Sequence, residues 1–410
     1  MNKVESMMAS LKFYRGWLLG VAFLIPWAVC LCECVFGYPI SDSSVFRYMG
    51  WRYATGTGGY AYVWDCKGPV LILLNALGYC FGISPSVVFA GLWTGIIFLF
   101  NRFLKNLQVI EAEGWTLLFV LAFFATDQLL FLNGTEAITA FFSLLALTFV
   151  RGTRSESRWL VVGGAAATVF FTKPNLISFA VALGLTCAFE AACTRDFWHL
   201  VRCFFFSLVG VALVFGFIGL LFGGNGYREM WDATLGYNLL ERCAGIKLSW
   251  SAWWMDQLFR QKWYLISAAQ FFIWLVMGVT LIGFGCVRIL RSGVERKPIY
   301  LTLTLWLSLE MAMVFVSKGY YSHYTTVSLV PMLVLLGALL FGQQNAWRCR
   351  SAAFRPLSPC CCLSAACRMV YALHHRACER WVGGKVYGGE SCEGCPSLQS
   401  DCCSRRSCHF

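Results

Sequence analysis

Over residues 1–343 the chain alternates between long apolar blocks and short polar connections. Ten blocks reach or approach the roughly 17–25 apolar residues that a helix needs to cross the hydrocarbon core of a membrane. They lie near residues 16–36, 83–103, 116–132, 137–151, 158–172, 176–192, 203–223, 264–288, 299–317 and 323–342. The pattern predicts an all-α, polytopic membrane protein with about ten transmembrane helices.

The composition of the chain supports this class. Of the 410 residues, 58% are hydrophobic and 13% are charged, whereas a soluble domain carries roughly 25% charged residues. So few charges cannot cover a soluble particle of this size, and the high hydrophobicity excludes general disorder. The net charge of +12 would be compatible with nucleic-acid binding, but the basic residues lie in short runs between apolar blocks. Membrane topology explains such runs, so no nucleic-acid partner is expected.

Basic residues at the ends of the blocks predict the topology. Lys3, Lys12 and Arg15 favour a cytoplasmic N-terminus. If residues 69–103 cross the membrane once, four basic connections also lie in the cytoplasm. Their residues are Arg102 and Lys105; Arg151, Arg154 and Arg158; Arg195 and Arg202; and Arg288, Arg291, Arg296 and Lys297. Residues 69–82 then form a juxtamembrane helix instead of an eleventh span.

The same topology collects the remaining polar residues on the outer side of the cell membrane. They lie at Lys173 and in segments 37–69, 127–136, 224–262 and 318–323. Isolated acids and lysines at membrane edges are typical of functional sites, although any loop must also be polar. We therefore predict a site at the extracytoplasmic surface.

Segment 37–69 carries side chains suited to transfer chemistry at a membrane surface. Asp42 could act as a general base or as the N-cap of a helix that begins within Ser41–Ser44. Arg47 and Lys67 could bind a phosphate at headgroup depth, while Lys67 could equally be an interfacial, snorkelling charge. The residues alone leave these alternatives open.

The order of motifs along the chain resembles that of a known family. Asp42-Ser-Ser-Val-Phe, followed by Gly59-Tyr60 and by Trp64-Asp65-Cys66-Lys67-Gly68-Pro69, resembles the first extracytoplasmic loop of C-type (GT-C) membrane glycosyltransferases. The most similar branch contains the protein O-mannosyltransferases and the lipid A aminoarabinose transferase. Three later motifs fit this family: Glu136 in Asn-Gly-Thr-Glu-Ala, Thr172-Lys173-Pro174-Asn175, and Tyr320-Tyr321-Ser322-His323-Tyr324 before Pro331. The resemblance covers about residues 1–342.

The resemblance implies roles for individual residues. Asp42 would be the catalytic base, and Lys67, with Arg47 as a second candidate, would contact the phosphate of a polyprenyl-phosphate sugar. The residues that it places around the cavity are Asp65, Glu136, Lys173, His323 and Tyr324. This chain has Lys67-Gly68-Pro69 where many relatives have Lys-Pro-Pro, which is a mild departure.

The implied activity is inverting transfer of a sugar from a polyprenyl-phosphate donor in the membrane to an extracytoplasmic glycan, lipid or protein acceptor. A glycoside hydrolase needs a protonated acid to help its leaving group, but a phosphate leaves as an anion, so one carboxylate base suffices. Basic side chains could stabilise that phosphate, so no cofactor is required, while a divalent metal is compatible. The alternatives are a polytopic transporter, which the lack of a visible internal repeat disfavours, and a lipid-linked-sugar flippase or assembly factor without transferase activity.

Residues 344–410 differ from the rest of the chain and hold 11 of its 21 cysteines. A zinc site is one interpretation, although the spacing is not that of a regular zinc finger. Its candidate ligands are Cys392, Cys395, Cys402, Cys403, Cys408 and His409. Disorder and a change of reading frame after the last span are the alternatives. The predicted transmembrane domain therefore ends at residue 343.

Overall fold

The computed structural model describes most of the predicted transmembrane domain. The described residues are 3–37, 42–56, 60, 67–125, 132, 134–152, 156–234, 236, 264–293, 297–316 and 325–341. All of them lie in one unit, Met1–Arg355, and none of them forms a strand, which confirms the all-α prediction for this part of the chain. The cysteine-rich tail lies outside the described residues.

Twelve α-helices are formed by the described residues, and we number them in chain order. They are α1 Lys3–Phe36, α2 Asp42–Ala54, α3 Pro69–Cys80, α4 Pro85–Asn106, α5 Ala112–Phe123, α6 Thr135–Gly152, α7 Arg158–Phe170, α8 Ser178–Thr194, α9 Phe197–Trp231, α10 Tyr264–Arg291, α11 Lys297–Val316 and α12 Leu329–Phe341. A short 3₁₀ helix, Pro174–Leu176, lies between α7 and α8. Gly223 interrupts α9 with a positive φ of 66°, a conformation that glycine adopts without a steric penalty.

Four of these helices are long and apolar enough to cross a membrane. The segments are Phe13–Phe36 of α1, Pro85–Asn106, Phe197–Gly224 of α9 and Phe271–Arg291 of α10. Helices of 12 or 13 residues, such as α5 and α7, are only about 18–20 Å long, which is less than the roughly 30 Å of the hydrocarbon core. Membrane character is therefore supported, while the count of ten crossings stays a prediction.

One end of the helix bundle joins the C-terminal end of α1, the N-terminal end of α6 and the segment that follows α7. The backbone N–H of Leu132 donates to Oε1 of Glu33, at 3.4 Å. Nζ of Lys173 lies 3.3 Å from Oε1 of Glu136. We call this the upper end, defined by Glu33, Leu132, Glu136 and Lys173.

Helix α3 begins and ends at the upper end. Before it, the N–H of Gly68 donates to the carbonyl of Thr172, at 3.0 Å. After it, the hydroxyl of Ser86 donates to Oε2 of Glu33, at 2.6 Å. The helix packs against α2, where Gly50 approaches Asn75 so closely that a Cβ at residue 50 would overlap it. Helix α3 therefore lies at the upper end, and its position at the membrane surface stays a prediction.

The opposite, lower end carries several of the basic connections. Nζ of Lys105, at the end of α4, lies 2.8 Å from Oε1 of Glu113 in α5. Nη1 of Arg202, near the start of α9, lies 3.4 Å from Oε1 of Glu156. Among the described residues, Lys105 and Arg202 of the basic connections thus lie at the lower end, while Glu136 and Lys173 lie at the upper end; the topology itself stays a prediction.

Glycine allows α7 and α9 to pack with their backbones in contact. A Cβ at Gly163 would meet the carbonyl of Ser207, and a Cβ at Gly210 would meet the carbonyl of Leu160. Small residues at such crossings are typical of helices that associate within a membrane, because close packing replaces the hydrophobic driving force there.

We expect Gly68→Ala to destabilise the upper end. A Cβ at residue 68 would overlap the backbone carbonyl of Phe171, and relieving such overpacking typically costs about 1–3 kcal/mol. The measurement is thermal unfolding of the purified protein in detergent. Gly91→Ala is the matched control, since a Cβ at Gly91 meets no atom within 4 Å. Equal stability of the two variants would contradict the close approach.

Candidate functional site

Asp42 opens helix α2 at the upper end, shortly after α1 ends at Phe36. Its side chain is exposed, so the carboxylate is accessible to a second molecule. An acid in the first turn also interacts favourably with the helix dipole. The base and the capping role therefore both remain compatible with this position.

Arg47 lies one turn further along α2 and is buried in an ion pair. Its Nη2 lies 2.6 Å from Oε2 of Glu33 and donates to Oγ of Ser86, at 2.8 Å. Burial lowers the pKa of the Arg47 guanidinium, and the neighbouring Glu33 carboxylate opposes that shift. These three side chains join α1, α2 and α4, so they fix where α2 begins. This geometry favours a positioning role, and a contact between Arg47 and a phosphate stays a prediction.

Lys67 is half-buried in the segment that leads into α3. Its carbonyl accepts a hydrogen bond from the hydroxyl of Tyr60, at 2.8 Å. The next residues pair with the segment after α7, because Gly68 N–H donates to Thr172 at 3.0 Å and Val70 N–H donates to Phe171 at 3.2 Å. Two motifs that lie about a hundred residues apart in the sequence are thus held side by side.

The pairing of Gly68 requires a backbone donor at residue 68. A proline has no N–H, so it could not make the hydrogen bond from residue 68 to Thr172. Glycine supplies that donor and leaves room for the carbonyl of Phe171. Glycine at residue 68 therefore permits this close pairing of the two motifs.

Lys173 is half-buried and interacts with two acidic residues. Its Nζ is 3.3 Å from Oε1 of Glu136, at the first turn of α6, and it also interacts electrostatically with Glu310. Glu310, on α11, is buried and accepts a hydrogen bond from Nε1 of Trp306, at 3.0 Å. The cluster brings α6, α11 and the segment after α7 together around one lysine.

Sequence reasoning missed Glu33 and Glu310. Both interrupt apolar blocks, in Cys32-Glu33-Cys34 and in Leu309-Glu310-Met311. An ionisable residue inside a predicted span is by itself a reason to expect a partner or a function. That signal would have found both residues, although not their partners.

Aromatic contacts join the first loop to the point where α9 breaks. The hydroxyl of Tyr53, on α2, donates to the carbonyl of Leu221, at 2.9 Å. The ring of Phe222 lies 5.1 Å from that of Tyr53 and 6.0 Å from that of Tyr60, between centroids. The predicted loop 37–69 therefore contacts α9 just before the predicted loop 224–262 begins.

The structure brings only part of the predicted site together. Glu136, Lys173 and the backbone of Lys67 meet at the upper end. Asp42 and Arg47 lie on α2, which packs on α3 beside them. The remaining predicted site residues, Asp65, His323 and Tyr324, lie outside the described residues.

Comparisons with protein-family models, with curated proteins and with solved structures gave no match to this chain.

Proposed function

We propose that the protein is a membrane glycosyltransferase that moves a sugar from a polyprenyl-phosphate donor to an acceptor at the upper end of the bundle. The observation that carries this proposal is the backbone pairing of Gly68 and Val70 with Thr172 and Phe171. It sets the Lys67 segment beside Lys173, so two cationic residues stand at one edge of the bundle.

The proposed donor explains why cations stand at that edge. A sugar linked by phosphate to a long lipid stays in the bilayer, so its phosphate lies at headgroup depth. Lys67 and Lys173 are the proposed phosphate contacts, because an ammonium group binds a phosphate as a compact point charge. Glu136, paired with Lys173, would hold that lysine in place and help to line the cavity together with Asp65, His323 and Tyr324.

The proposed chemistry uses one carboxylate. An acceptor hydroxyl or amine attacks the anomeric carbon from the face opposite the phosphate, and Asp42 takes its proton. The bond from the anomeric carbon to the acceptor forms as the bond to the phosphate oxygen breaks, so the configuration inverts. The phosphate leaves as an anion that cationic side chains stabilise, and the reaction needs no cofactor.

The proposal includes an orientation in the membrane. The chain would be a multi-pass cell-membrane protein with the upper end extracytoplasmic and the lower end cytoplasmic. Positively charged connections at the lower end, including those of Lys105 and Arg202, support this orientation. The acceptor would be an extracytoplasmic glycan, lipid or protein.

A transfer assay tests the proposal. The full chain, purified and placed in lipid vesicles, is given a set of polyprenyl-phosphate sugars together with envelope glycan and lipid as acceptors. We expect labelled sugar to appear on an acceptor and free polyprenyl phosphate to be released. A flippase would move the donor across the bilayer intact, and a transporter would leave it unchanged. Either result, without release of polyprenyl phosphate, would overturn the proposed activity.

Lys67→Met should weaken donor binding as well as turnover. Methionine keeps an apolar stem but removes the cation, and a hydrogen bond to a charged group contributes about 1.5–3 kcal/mol, or about 10- to 100-fold in affinity. The structural contact made by the Lys67 carbonyl is unaffected. Donor binding is measured by titration with a polyprenyl-phosphate sugar. Lys105→Met, at the lower end, is the control, and equal donor affinity in both variants would contradict the assignment.

A further inference from the structure

A second cluster of reactive side chains lies at the lower end, away from the proposed transfer site. It consists of Cys187 on α8 and of His199 and Cys203 on α9. One ligand atom from each of the three residues lies within 4.8 Å of the others. Both cysteines are buried and free of disulfides. His199 and Cys203 share one face of α9, since they are four residues apart.

The distances match those of a tetrahedral metal site. Nε2 of His199 lies 3.5 Å from Sγ of Cys203. Around a tetrahedral Zn²⁺, bond lengths of about 2.3 Å to sulfur and about 2.0–2.1 Å to nitrogen place those two ligand atoms about 3.6 Å apart. His199 and Cys203 are therefore spaced to share one ion, and Cys187 lies within 4.8 Å of both.

Neighbouring groups orient the histidine for this role. Its other ring nitrogen, Nδ1, lies 3.7 Å from Oε1 of Glu156, which Arg202 also contacts, at 3.4 Å. A carboxylate behind a histidine is the usual partner of a metal-bound imidazole, because it fixes the ring and its tautomer. Asp196 caps α9 by accepting a hydrogen bond from the His199 N–H, at 2.9 Å, so the backbone at the ligand is also fixed.

The charges of the cluster suit a thiophilic divalent ion in an apolar setting. Two thiolates balance the charge of Zn²⁺, so the complex adds no net charge to the buried space between α8 and α9. Soft sulfur ligands favour zinc over magnesium or calcium. A cavity of about 280 Å³ is lined by both cysteines, together with Trp159, Leu200 and Ser207.

We propose that Cys187, His199 and Cys203 bind Zn²⁺ as a clamp between α8 and α9, with Glu156 as the positioning residue for His199. Binding replaces the two thiol protons by the metal, so two protons are released to solvent. The clamp would hold the lower ends of α8 and α9 together, and α9 carries the break at Gly223 that the first loop contacts at the upper end.

Cobalt titration of the full chain tests the proposal. The purified protein is stripped of metal under reducing conditions and titrated with Co²⁺ alone, and thiolate-to-cobalt absorption is measured. By this absorption, Cys203→Ser should bind one equivalent of Co²⁺ fewer than the natural chain. The control is Cys193→Ser, an exposed cysteine of α8, which should lose none. The cysteines of residues 344–410 are the same in all three proteins, so they cancel in the comparison.

Two further variants separate loss of ligands from loss of folding. His199→Ala should lose the same equivalent, whereas His199→Cys should regain it with stronger thiolate absorption, a gain that misfolding cannot produce. Glu156→Gln should keep the stoichiometry but weaken cobalt affinity about 10- to 100-fold. Equal absorption in the natural chain, Cys203→Ser and Cys193→Ser would overturn the proposal. So would failure of His199→Cys to bind more cobalt than His199→Ala.

Discussion

Asp42→Asn is expected to abolish sugar transfer, with a rate about 10²- to 10⁴-fold below that of the natural chain. Asparagine keeps the shape of the side chain and caps a helix about as well as aspartate, so α2 should still begin at residue 42. It cannot accept the proton of the acceptor, so the chemical step alone should be lost. The measurements are the transfer rate and, separately, the affinity for a polyprenyl-phosphate sugar.

The matched control for this variant is Asp232→Asn. Asp232 is another exposed acid, and it follows α9 beyond the break at Gly223. Transfer should stay near the natural rate in the control, and donor affinity should be unchanged in both variants. If Asp42→Asn retains activity within a few-fold, Asp42 is a helix cap and the base is to be sought at Asp65 or Glu136.

The second large effect is expected on stability, from Glu33→Gln. This change removes the carboxylate from the buried ion pair of Glu33 and Arg47, and breaking one side of a buried ion pair typically costs about 3–5 kcal/mol. Arg47→Met combined with Glu33→Gln removes both charges, so the double variant should recover most of the loss. Stability is measured as the fraction of monodisperse protein that survives heating in detergent.

The ion pair of Lys105 and Glu113 is a matched control with a different degree of burial. The two pairs have similar lengths, 2.6 Å for Glu33 with Arg47 and 2.8 Å for Glu113 with Lys105. The side chain of Arg47 is 3% exposed, whereas that of Lys105 is 53% exposed. Glu113→Gln should therefore cost only about 0–1 kcal/mol. A loss from Glu33→Gln that is no larger would mean that the buried pair does not hold α2.

These two predictions concern one functional unit. If α2 is held through Arg47, a displaced α2 also displaces Asp42 five residues earlier. The double variant of Glu33 and Arg47 should then fold well but transfer sugar more slowly, because its α2 has lost the ion pair to α1. A double variant that is stable but slow would show that Arg47 positions Asp42, separately from the proton transfer at Asp42 itself.

Much of the helical arrangement could be predicted from local patterns. The apolar blocks correspond to helices α1 and α4–α12, because the length and hydropathy of a block are properties of consecutive residues. The shorter block 69–82 corresponds to α3, Pro69–Cys80, with Pro69 in its first turn. The ends of the helices were predicted less well than their order. The apolar block at 116–132, for example, corresponds to helix α5, which ends at Phe123.

The site was predicted only in part. The motif around Lys67 and the motif of Thr172 and Lys173 were each visible, but nothing in either segment shows that their backbones pair. Glu33 and Glu310 were passed over because each stands alone among apolar residues. A buried charge requires a partner, yet the partner can come from any segment that packs nearby.

The sequence by itself determined the all-helical class and the order of the apolar blocks. Those features follow from hydropathy and charge, which act residue by residue along the chain. Only the tertiary structure decided that Arg47 pairs with Glu33 and that Gly68 pairs with Thr172. Such contacts join residues distant in sequence, and they form where helix packing excludes water and brings one donor to one acceptor.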